Sequence, residues 1–258
     1  MKIDVNGVSE HVVQKGSGRD VLLLHGWGCS TALFTAVQDA LCDVMRVTAI
    51  DFPGHGESGR PPEPWGVPEF ADWTLALIDQ LGIAPCALVA HSFGARVTLW
   101  MAAHHPEKFG RIVITGGAGL REDGENGGRQ SVLSRAAHGV LSGMKKMKIF
   151  GRLPDALNEI YVQNFGSADY KALDEEMRKT FTKVVNQDLS ECLPGIQSPT
   201  LLYWGENDTA TPLWMGKKME KEIRDAALIT VPGASHFAYL EHSGEFIRIV
   251  RHFLTEEK

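Results

Sequence analysis

The chain of 258 residues is long enough for one large α/β domain with a small insertion, and its 43% hydrophobic and 22% charged residues are typical of a globular enzyme. Its formal net charge of −6 disfavours nucleic acid and anionic membrane surfaces as partners, and says nothing about a small substrate. No uninterrupted apolar stretch approaches the length of a membrane span, so no membrane insertion is expected.

The first residues and the cysteines indicate the compartment. Residues 1–7 contain charges and no apolar segment, so no signal peptide is recognised and a cytoplasmic location is expected. The four cysteines show neither a C-x-x-C pair nor a histidine at metal-ligand spacing, which predicts free thiols in a reducing compartment. They are Cys29, Cys42, Cys86 and Cys192. No metal or other cofactor is expected, and the oligomeric state stays open between monomer and dimer.

Strand-like and helical patterns alternate over the first 115 residues. Apolar runs predict strands at 3–5, 10–14, 21–24, 47–50, 87–90 and 111–115, with the first two joined by an Asn6-Gly7 turn. Helical periodicity, capping residues and proline positions predict helices over 31–41, 68–82 and 93–104. This alternation predicts a parallel sheet with helices on both of its faces.

The pattern changes between residues 119 and 193. A glycine-rich polar linker at 121–129 precedes helical patterns at 130–150, 154–165 and 168–189. Such an insertion predicts a helical cap over the carboxyl edge of the sheet, although the same helices would also suit simple coverage of a sheet face. Strands at 200–204 and 227–231 and helices at 212–223 and 244–254 complete the chain. The expected fold is therefore α/β, with a mostly parallel eight-stranded sheet, a core over 1–118 and 194–258, and a cap over 119–193.

A sharp turn between a predicted strand and a predicted helix carries the candidate nucleophile, Ser92. Small residues, Ala90 and Gly94, stand two positions before and after it, as a strained turn of this kind requires. The turn lifts the hydroxyl clear of the sheet and directs the N-terminus of the following helix at any anion formed there.

A serine nucleophile needs a base that takes its proton and an acid that orients the base. His236 is the preferred base because it lies in the loop after the last predicted strand. The competing histidines lie in turns that imidazole commonly braces by hydrogen bonding, and they are His25, His55 and His91.

Asp208 is the preferred acid because it follows the penultimate strand, from which a short carboxylate reaches across to the final loop. Glu206 is a weaker candidate that suits holding its own turn, and Asp51 suits capping its own loop. Glu122 and Asp123 remain alternatives in the linker to the cap.

Two N–H donors are needed for the oxyanion of an acyl-transfer intermediate. The backbone N–H of Phe93 follows the nucleophile, and the loop after the 21–24 strand offers that of Trp27, between Gly26 and Gly28. Trp27, Phe93 and Phe237 stand beside catalytic positions and are expected to line the substrate pocket. Candidates for an apolar wall on the cap side, or for the cap's own core, are Met144, Met147, Phe150, Tyr161, Phe165 and Phe181. Cationic candidates for an acidic substrate, or for solvated surface, are Lys145, Lys146 and Arg178.

Five motifs in chain order resemble the α/β-hydrolase superfamily. They are L-L-L-H-G-W-G (22–28), D-F-P-G-H-G-E-S (51–58), A-H-S-F-G (90–94), W-G-E-N-D (204–208) and G-A-S-H (233–236). The match is closest to the helical-cap branch of carboxylesterases and meta-cleavage-product (C–C) hydrolases. Ala90 replaces the glycine that is more common at the first elbow position, and H-G-W-G-C-S replaces the H-G-x-G-P-G typical of C–C hydrolases. The second departure favours an esterase.

The resemblance implies a serine hydrolase of the carboxylesterase type, acting by two-step acyl transfer on a small apolar ester, thioester or lactone. The alternatives are hydrolysis of a C–C bond in a vinylogous keto acid, which requires a carboxylate-binding arginine near the pocket, and a non-hydrolytic receptor on the same fold. Lyase and cofactor-free oxygenase chemistry remain open as well. A serine at the elbow disfavours dehalogenases and epoxide hydrolases, which place aspartate there.

Overall fold

An eight-stranded sheet organises the protein in our computed structural model, which describes residues 1–121 and 174–256. The strands are β1 (Lys2–Val5), β2 (Val8–Lys15), β3 (Arg19–Leu24), β4 (Met45–Ile50), β5 (Cys86–His91), β6 (Phe109–Thr115), β7 (Thr200–Gly205) and β8 (Ala226–Val231). Their order across the sheet is β1-β2-β4-β3-β5-β6-β7-β8. Strands β1 and β2 pair antiparallel and β2 pairs antiparallel with β4, whereas every other pairing is parallel. The mostly parallel eight-stranded sheet expected from the sequence is confirmed.

Helices cover both faces of this sheet, as predicted. The described α-helices are α1 (Thr35–Leu41), α2 (Val67–Leu81), α3 (Phe93–His104), α4 (Glu175–Asn186), α5 (Leu213–Glu222), α6 (Ala238–Glu241) and α7 (Ser243–Thr255). Alternate side chains of β3 enter two separate hydrophobic clusters, because successive residues of a strand point to opposite faces. Leu22 and Leu24 pack with the apolar faces of α2 and α3, whereas Val21 and Leu23 pack with α1 and α7.

The expected cap over 119–193 stays a prediction, because most of it, including the helices proposed at 130–150 and 154–165, lies outside the described residues. Of the third proposed helix, 168–189, residues 168–173 also lie outside the described residues, and the described part contains α4, which ends three residues before the predicted end. It begins after Asp174, whose carboxylate accepts a hydrogen bond of 2.9 Å from the backbone N–H of Met177. No helix of residues 1–121 or 174–256 is long and apolar enough to cross a membrane.

Hydrogen bonds connect helix α4 to helix α3, which begins directly after the candidate nucleophile, and to the segment that precedes α2. Arg96 of α3 donates from one guanidinium nitrogen to the carbonyl oxygens of Val184 and Gln187, at 3.0 and 2.9 Å. The hydroxyl of Thr180 accepts a hydrogen bond of 3.3 Å from the backbone N–H of Trp65. These contacts fix α4 relative to the elbow that starts α3.

Candidate active site

Three sequence-predicted site residues follow parallel strands of the sheet. Ser92 comes directly after β5, Asp208 follows β7, and His236 follows β8. Carboxyl ends of parallel strands meet at one edge of a sheet, which is where α/β proteins bind ligands. The fold therefore brings the candidate nucleophile, acid and base to the same edge, although their catalytic roles remain predictions.

Ser92 has a strained backbone, with φ 50° and ψ −105°. Positive φ at a residue other than glycine is uncommon and is typical of functional turns. The turn is held by hydrogen bonds from Ser92 N–H to the Thr115 carbonyl (3.2 Å) and from Gly94 N–H to the His25 carbonyl (3.0 Å). A Cβ atom at Gly94 would lie 2.2 Å from the Leu24 carbonyl oxygen. The closest crowding at Gly94 thus comes from β3, and only glycine fits there.

The candidate acid and base form a buried hydrogen-bonded pair. His236 Nδ1 lies 2.9 Å from Asp208 Oδ2, and the two side chains are 2% and 0% exposed. Because an ionised carboxylate only accepts hydrogen bonds, Nδ1 carries the proton and Nε2 is left as an acceptor. The ring of His236 also contacts that of His91, the residue before Ser92, with centroids 4.7 Å apart. The base candidate therefore lies against the elbow with the tautomer that a general base needs.

Gly116, directly after β6, was not identified from the sequence as part of the site. Its φ is +51°, and a Cβ atom there would lie 3.1 Å from His236 Nδ1 and 3.3 Å from Asp208 Oδ2. A side chain would therefore press against the acid–base pair. The available signal was the Gly116-Gly117 pair at the end of a predicted strand.

The three competing histidines are buried and bonded to backbone carbonyls through Nδ1. The acceptors are Gly26 for His25 (2.7 Å), Pro53 for His55 (3.1 Å) and Thr115 for His91 (3.0 Å). Burial lowers the pKa of His25 and of His91 below the usual range, and lowers the pKa of His55 to about 3. These imidazoles are neutral at physiological pH and brace their loops.

The competing carboxylates also have local partners. Asp51 accepts hydrogen bonds from the backbone N–H groups of Thr31 (2.6 Å) and Glu57 (2.9 Å). Burial raises the pKa of Asp51, but these two bonds and His11 outweigh it and leave the pKa below its usual value. Glu206 is exposed and, rather than bracing only its own turn, accepts a hydrogen bond of 3.2 Å from Gly233 N–H in the loop after β8. Glu122 and Asp123 lie outside the described residues.

Aromatic rings surround the candidate oxyanion loop. The Trp27 ring contacts Phe93, His55 and Phe181 of α4, with centroid distances of 5.3, 4.7 and 5.1 Å. Phe93 is the first residue of α3, where a backbone N–H has no acceptor within the helix. Phe237, also expected at the pocket, packs with His91 and His236 and belongs to the hydrophobic cluster on the α1 and α7 face, and its place in the pocket stays a prediction.

Other predicted pocket residues are divided between described and undescribed parts of the chain. Phe181 of α4 is buried, whereas Arg178 on the same helix is exposed. The remaining cap candidates lie outside the described residues, and they are Met144, Lys145, Lys146, Met147, Phe150, Tyr161 and Phe165. No group of three or more histidine, cysteine, aspartate or glutamate side chains within 1–121 and 174–256 is arranged to hold a metal ion.

Comparisons with known proteins agree with this architecture. A family model described as the alpha/beta hydrolase fold matches residues 21–243. A pimeloyl-[acyl-carrier protein] methyl ester esterase from Neisseria meningitidis is 28% identical over 252 residues, which cover 92% of this chain and 93% of that protein. A 2-hydroxy-6-oxononadienedioate/2-hydroxy-6-oxononatrienedioate hydrolase from Pseudomonas is 26% identical and covers 98% and 93%. The crystal structure of an enol-lactonase from Burkholderia xenovorans superposes with a TM-score of 0.82 at 24% identity, covering 99% of this chain and 100% of that one.

Proposed function

The chain belongs to the α/β-hydrolase fold family, and from this premise we propose that it is a serine hydrolase acting on a small apolar ester, thioester or lactone. The observation that carries the proposal is the buried hydrogen bond between His236 Nδ1 and Asp208 Oδ2, at the sheet edge where the strained Ser92 follows β5. A serine at such a turn, together with a correctly oriented imidazole, is the arrangement that activates a hydroxyl nucleophile.

The proposed reaction has two steps. In the first, Ser92 Oγ attacks the substrate carbonyl carbon as His236 Nε2 takes the hydroxyl proton. Collapse of the tetrahedral intermediate breaks the bond to the leaving alcohol, thiol or lactone oxygen, which receives that proton from His236. In the second step, His236 takes a proton from water as the water attacks the acyl carbon. Collapse of this second tetrahedral intermediate breaks the bond to Ser92 Oγ, which receives the proton from His236, and the acid is released. Asp208 stays ionised throughout and stabilises the imidazolium that forms in each step.

The oxyanion of both tetrahedral intermediates is assigned to the backbone N–H groups of Phe93 and Trp27. Two features support this assignment: Phe93 starts α3, so the helix N-terminus faces developing negative charge, and the Trp27 loop lies beside the nucleophile. A Cβ atom at Gly26 would lie only 3.3 Å from Ser92 Cβ, which shows how closely this loop approaches the elbow.

The described surroundings support an apolar substrate. The rings of Trp27 and Phe181 pack against each other. Met177, also on α4, lies against Gly54, so closely that its Cε would be 2.6 Å from a Cβ atom there. We place these side chains on the acyl side of the pocket, with Met177 and Phe181 contributed by α4 of the proposed cap, 119–193. Similarity to a methyl ester esterase supports an ester as the scissile group. The proposal also takes the substrate to be a small molecule handled in the cytoplasm.

Hydrolysis of a C–C bond is the second candidate, favoured by the similarity to a dienedioate hydrolase. That reaction would need an arginine to bind the substrate carboxylate. Arg96, four residues after Ser92, donates to two carbonyl oxygens at the end of α4, which weighs against its binding a substrate. Since Arg96 is the described arginine nearest to Ser92 in sequence, its backbone contacts and the similarity to an esterase together make ester hydrolysis the better-supported reaction.

A panel of p-nitrophenyl esters of increasing acyl length, run beside a dienol keto acid, tests the proposal. We expect multiple turnovers on the esters, labelling of Ser92 by a fluorophosphonate, and an about 10⁶-fold loss of turnover in Ser92→Ala. Ser17→Ala, at an exposed serine far along the sequence from the elbow, is the matched control and should retain full activity.

Three results would contradict the proposal. Undiminished labelling of Ser92→Ala would show that Ser92 is not the nucleophile. Faster turnover of the keto acid than of every ester would establish the C–C reaction. Single turnover with tight retention of product would indicate a receptor.

A further inference from the structure

The hydroxyl of Thr211 lies within hydrogen-bonding distance of both members of the acid–base pair. Its Oγ1 is 2.8 Å from Asp208 Oδ2 and 3.2 Å from His236 Nδ1, and it lies 3.0 Å from the Gly116 carbonyl oxygen. Thr211 is only 4% exposed, so bulk water does not compete for these contacts. The sequence did not identify this residue, because only the folded turn between β7 and α5 brings its side chain next to the acid–base pair.

Local structure fixes the position of this hydroxyl. The backbone N–H groups of Ala210 and Thr211 donate to Asp208 Oδ1, both at 2.9 Å, which closes the turn around the carboxylate. On the far side, Trp204 Nε1 donates to the Thr211 carbonyl oxygen at 2.7 Å. Pro212 follows directly and is the N-cap residue of α5. Thr211 is therefore held from its backbone on both sides.

The hydrogen bonds of the carboxylate can be counted. An ionised carboxylate accepts about four hydrogen bonds, two on each oxygen. Oδ1 receives its two from Ala210 and Thr211, and Oδ2 receives one from His236 Nδ1. The Thr211 hydroxyl occupies the fourth position. It has one proton, and a charged carboxylate is a stronger acceptor than the neutral Gly116 carbonyl, so the proton is assigned to Asp208.

We infer that Thr211 is a positioning residue for the proposed hydrolysis. Its hydroxyl holds Asp208 Oδ2 directed at His236 Nδ1 while the imidazole gains and loses a proton. Without it, Asp208 would lose a charge-assisted hydrogen bond in a buried site, and the carboxylate would be free to turn away from the imidazole. The inference rests on the proposed function, because it concerns the activation of Ser92 by that pair.

Thr211→Val removes the hydroxyl and keeps the shape of the side chain. We expect kcat on a p-nitrophenyl ester and the rate constant for fluorophosphonate labelling of Ser92 each to fall about tenfold, which corresponds to loss of one hydrogen bond to a charged group. KM should change little, because Thr211 does not touch the substrate. Thr211→Ser keeps the hydroxyl and should restore most of both rates. Thr211→Ala, measured in parallel, removes the same group without a branched side chain.

Thr98→Val is the matched control, because the Thr98 hydroxyl is equally buried but has no hydrogen-bond partner among the described residues. It should label and turn over like the wild type. A double-mutant cycle provides the readout that a purely structural residue would not give. In an Asp208→Asn background, Thr211→Val should cause little further loss, because the two side chains act as one unit.

The outcomes separate this inference from the proposed function. If the wild-type protein neither labels at Ser92 nor turns over esters, the proposed function fails. If it does both, and folded Thr211→Val or Thr211→Ala labels as fast as wild type, the inference about Thr211 alone is wrong. Additive losses in the Asp208→Asn background, or failure of Thr211→Ser to restore the rates, would likewise overturn it.

Discussion

Phe181 of α4 packs against Trp27 of the candidate oxyanion loop, with ring centroids 5.1 Å apart. The contact joins two segments that are 154 residues apart in sequence, since 181 − 27 = 154. Through it, the one described α-helix of the proposed cap region reaches the loop that we assign to the oxyanion. Side chains at this contact should therefore control which acyl groups fit.

Phe181→Leu should change the acyl-chain preference without removing the chemistry. A smaller side chain opens space over Trp27, so we expect the ratio of kcat/KM for a long-chain ester to that for the acetate to rise about tenfold. The p-nitrophenyl ester panel measures this ratio, and labelling of Ser92 by a small fluorophosphonate should proceed at the wild-type rate.

Phe109→Leu makes the same change in a buried phenylalanine at the start of β6, at the amino ends of the parallel strands and so away from the candidate site. It should lower stability without altering the ratio. An unchanged chain-length preference in Phe181→Leu would place the acyl group elsewhere.

Arg96 should determine how firmly α4 is held. Its guanidinium donates to the Val184 and Gln187 carbonyls at the C-terminal end of α4, where helix carbonyls carry partial negative charge. Burial lowers the pKa of Arg96 to about 10, with the nearby Arg121 charge contributing, so Arg96 is still protonated at neutral pH. Arg96→Ala should therefore accelerate hydrogen exchange of α4 amides, by about tenfold or more.

Arg111→Ala is the control for the Arg96 experiment. Arg111 makes an equivalent contact elsewhere, donating to the carbonyls of Phe253 and Glu256 at the end of α7. Its loss should accelerate exchange in α7 and leave α4 protected. Equal exchange of α4 in Arg96→Ala and wild type would show that other contacts hold the helix.

The central strands could be predicted from the sequence because their apolar runs are continuous, but their ends could not. Strands β3 and β4 each begin two residues before the predicted start, at Arg19 and Met45. The extension contains the pair Asp20 and Arg46, which face each other across the strands and form a salt bridge with N–O distances of 2.5 and 2.8 Å. Polar residues such as these do not extend an apolar run, so the sequence pattern does not reveal them as part of a strand. They stabilise the strand ends only once the two strands pair.

The candidate site likewise contains features that the sequence predicts and contacts that it does not. The positions of Ser92, Asp208 and His236 after strands were evident from the sequence, and the fold brings them to one edge. The contact of Thr211 with the pair, and the absence of a side chain at Gly116, depend on how separate turns approach one another in space. The sequence pattern also did not show that α4 begins after Asp174, because helical periodicity alone does not reveal which residue caps a helix.

Glu10 should make the stability of the protein dependent on pH. Its side chain is fully buried, and Oε2 accepts a hydrogen bond of 2.9 Å from the Ser58 hydroxyl, whereas Oε1 has no partner among the described residues. Burial raises the pKa of Glu10 from 4.5 to about 9; the Asp51 charge adds to the rise and the Ser58 hydrogen bond opposes it. Glu10 is therefore protonated in the folded protein at neutral pH.

The sign of the effect follows from this direction. Between about pH 4.5 and pH 9 the folded state keeps a proton on Glu10 that the unfolded state releases, so the free energy of unfolding falls as pH rises. The slope from this one group is at most about 1.4 kcal/mol per pH unit. Glu10→Gln removes the titration, so the variant should gain stability relative to wild type across this window.

Urea unfolding of wild type and Glu10→Gln at pH 5, 7 and 9 measures this stability difference. From the slope above, we expect the difference in free energy of unfolding to grow by a few kcal/mol, at most, between the lowest and the highest pH. Glu63→Gln, at an exposed carboxylate, is the control and should show no widening gap. If the stability difference between wild type and Glu10→Gln is the same at every pH, Glu10 does not titrate between the two states as its burial requires.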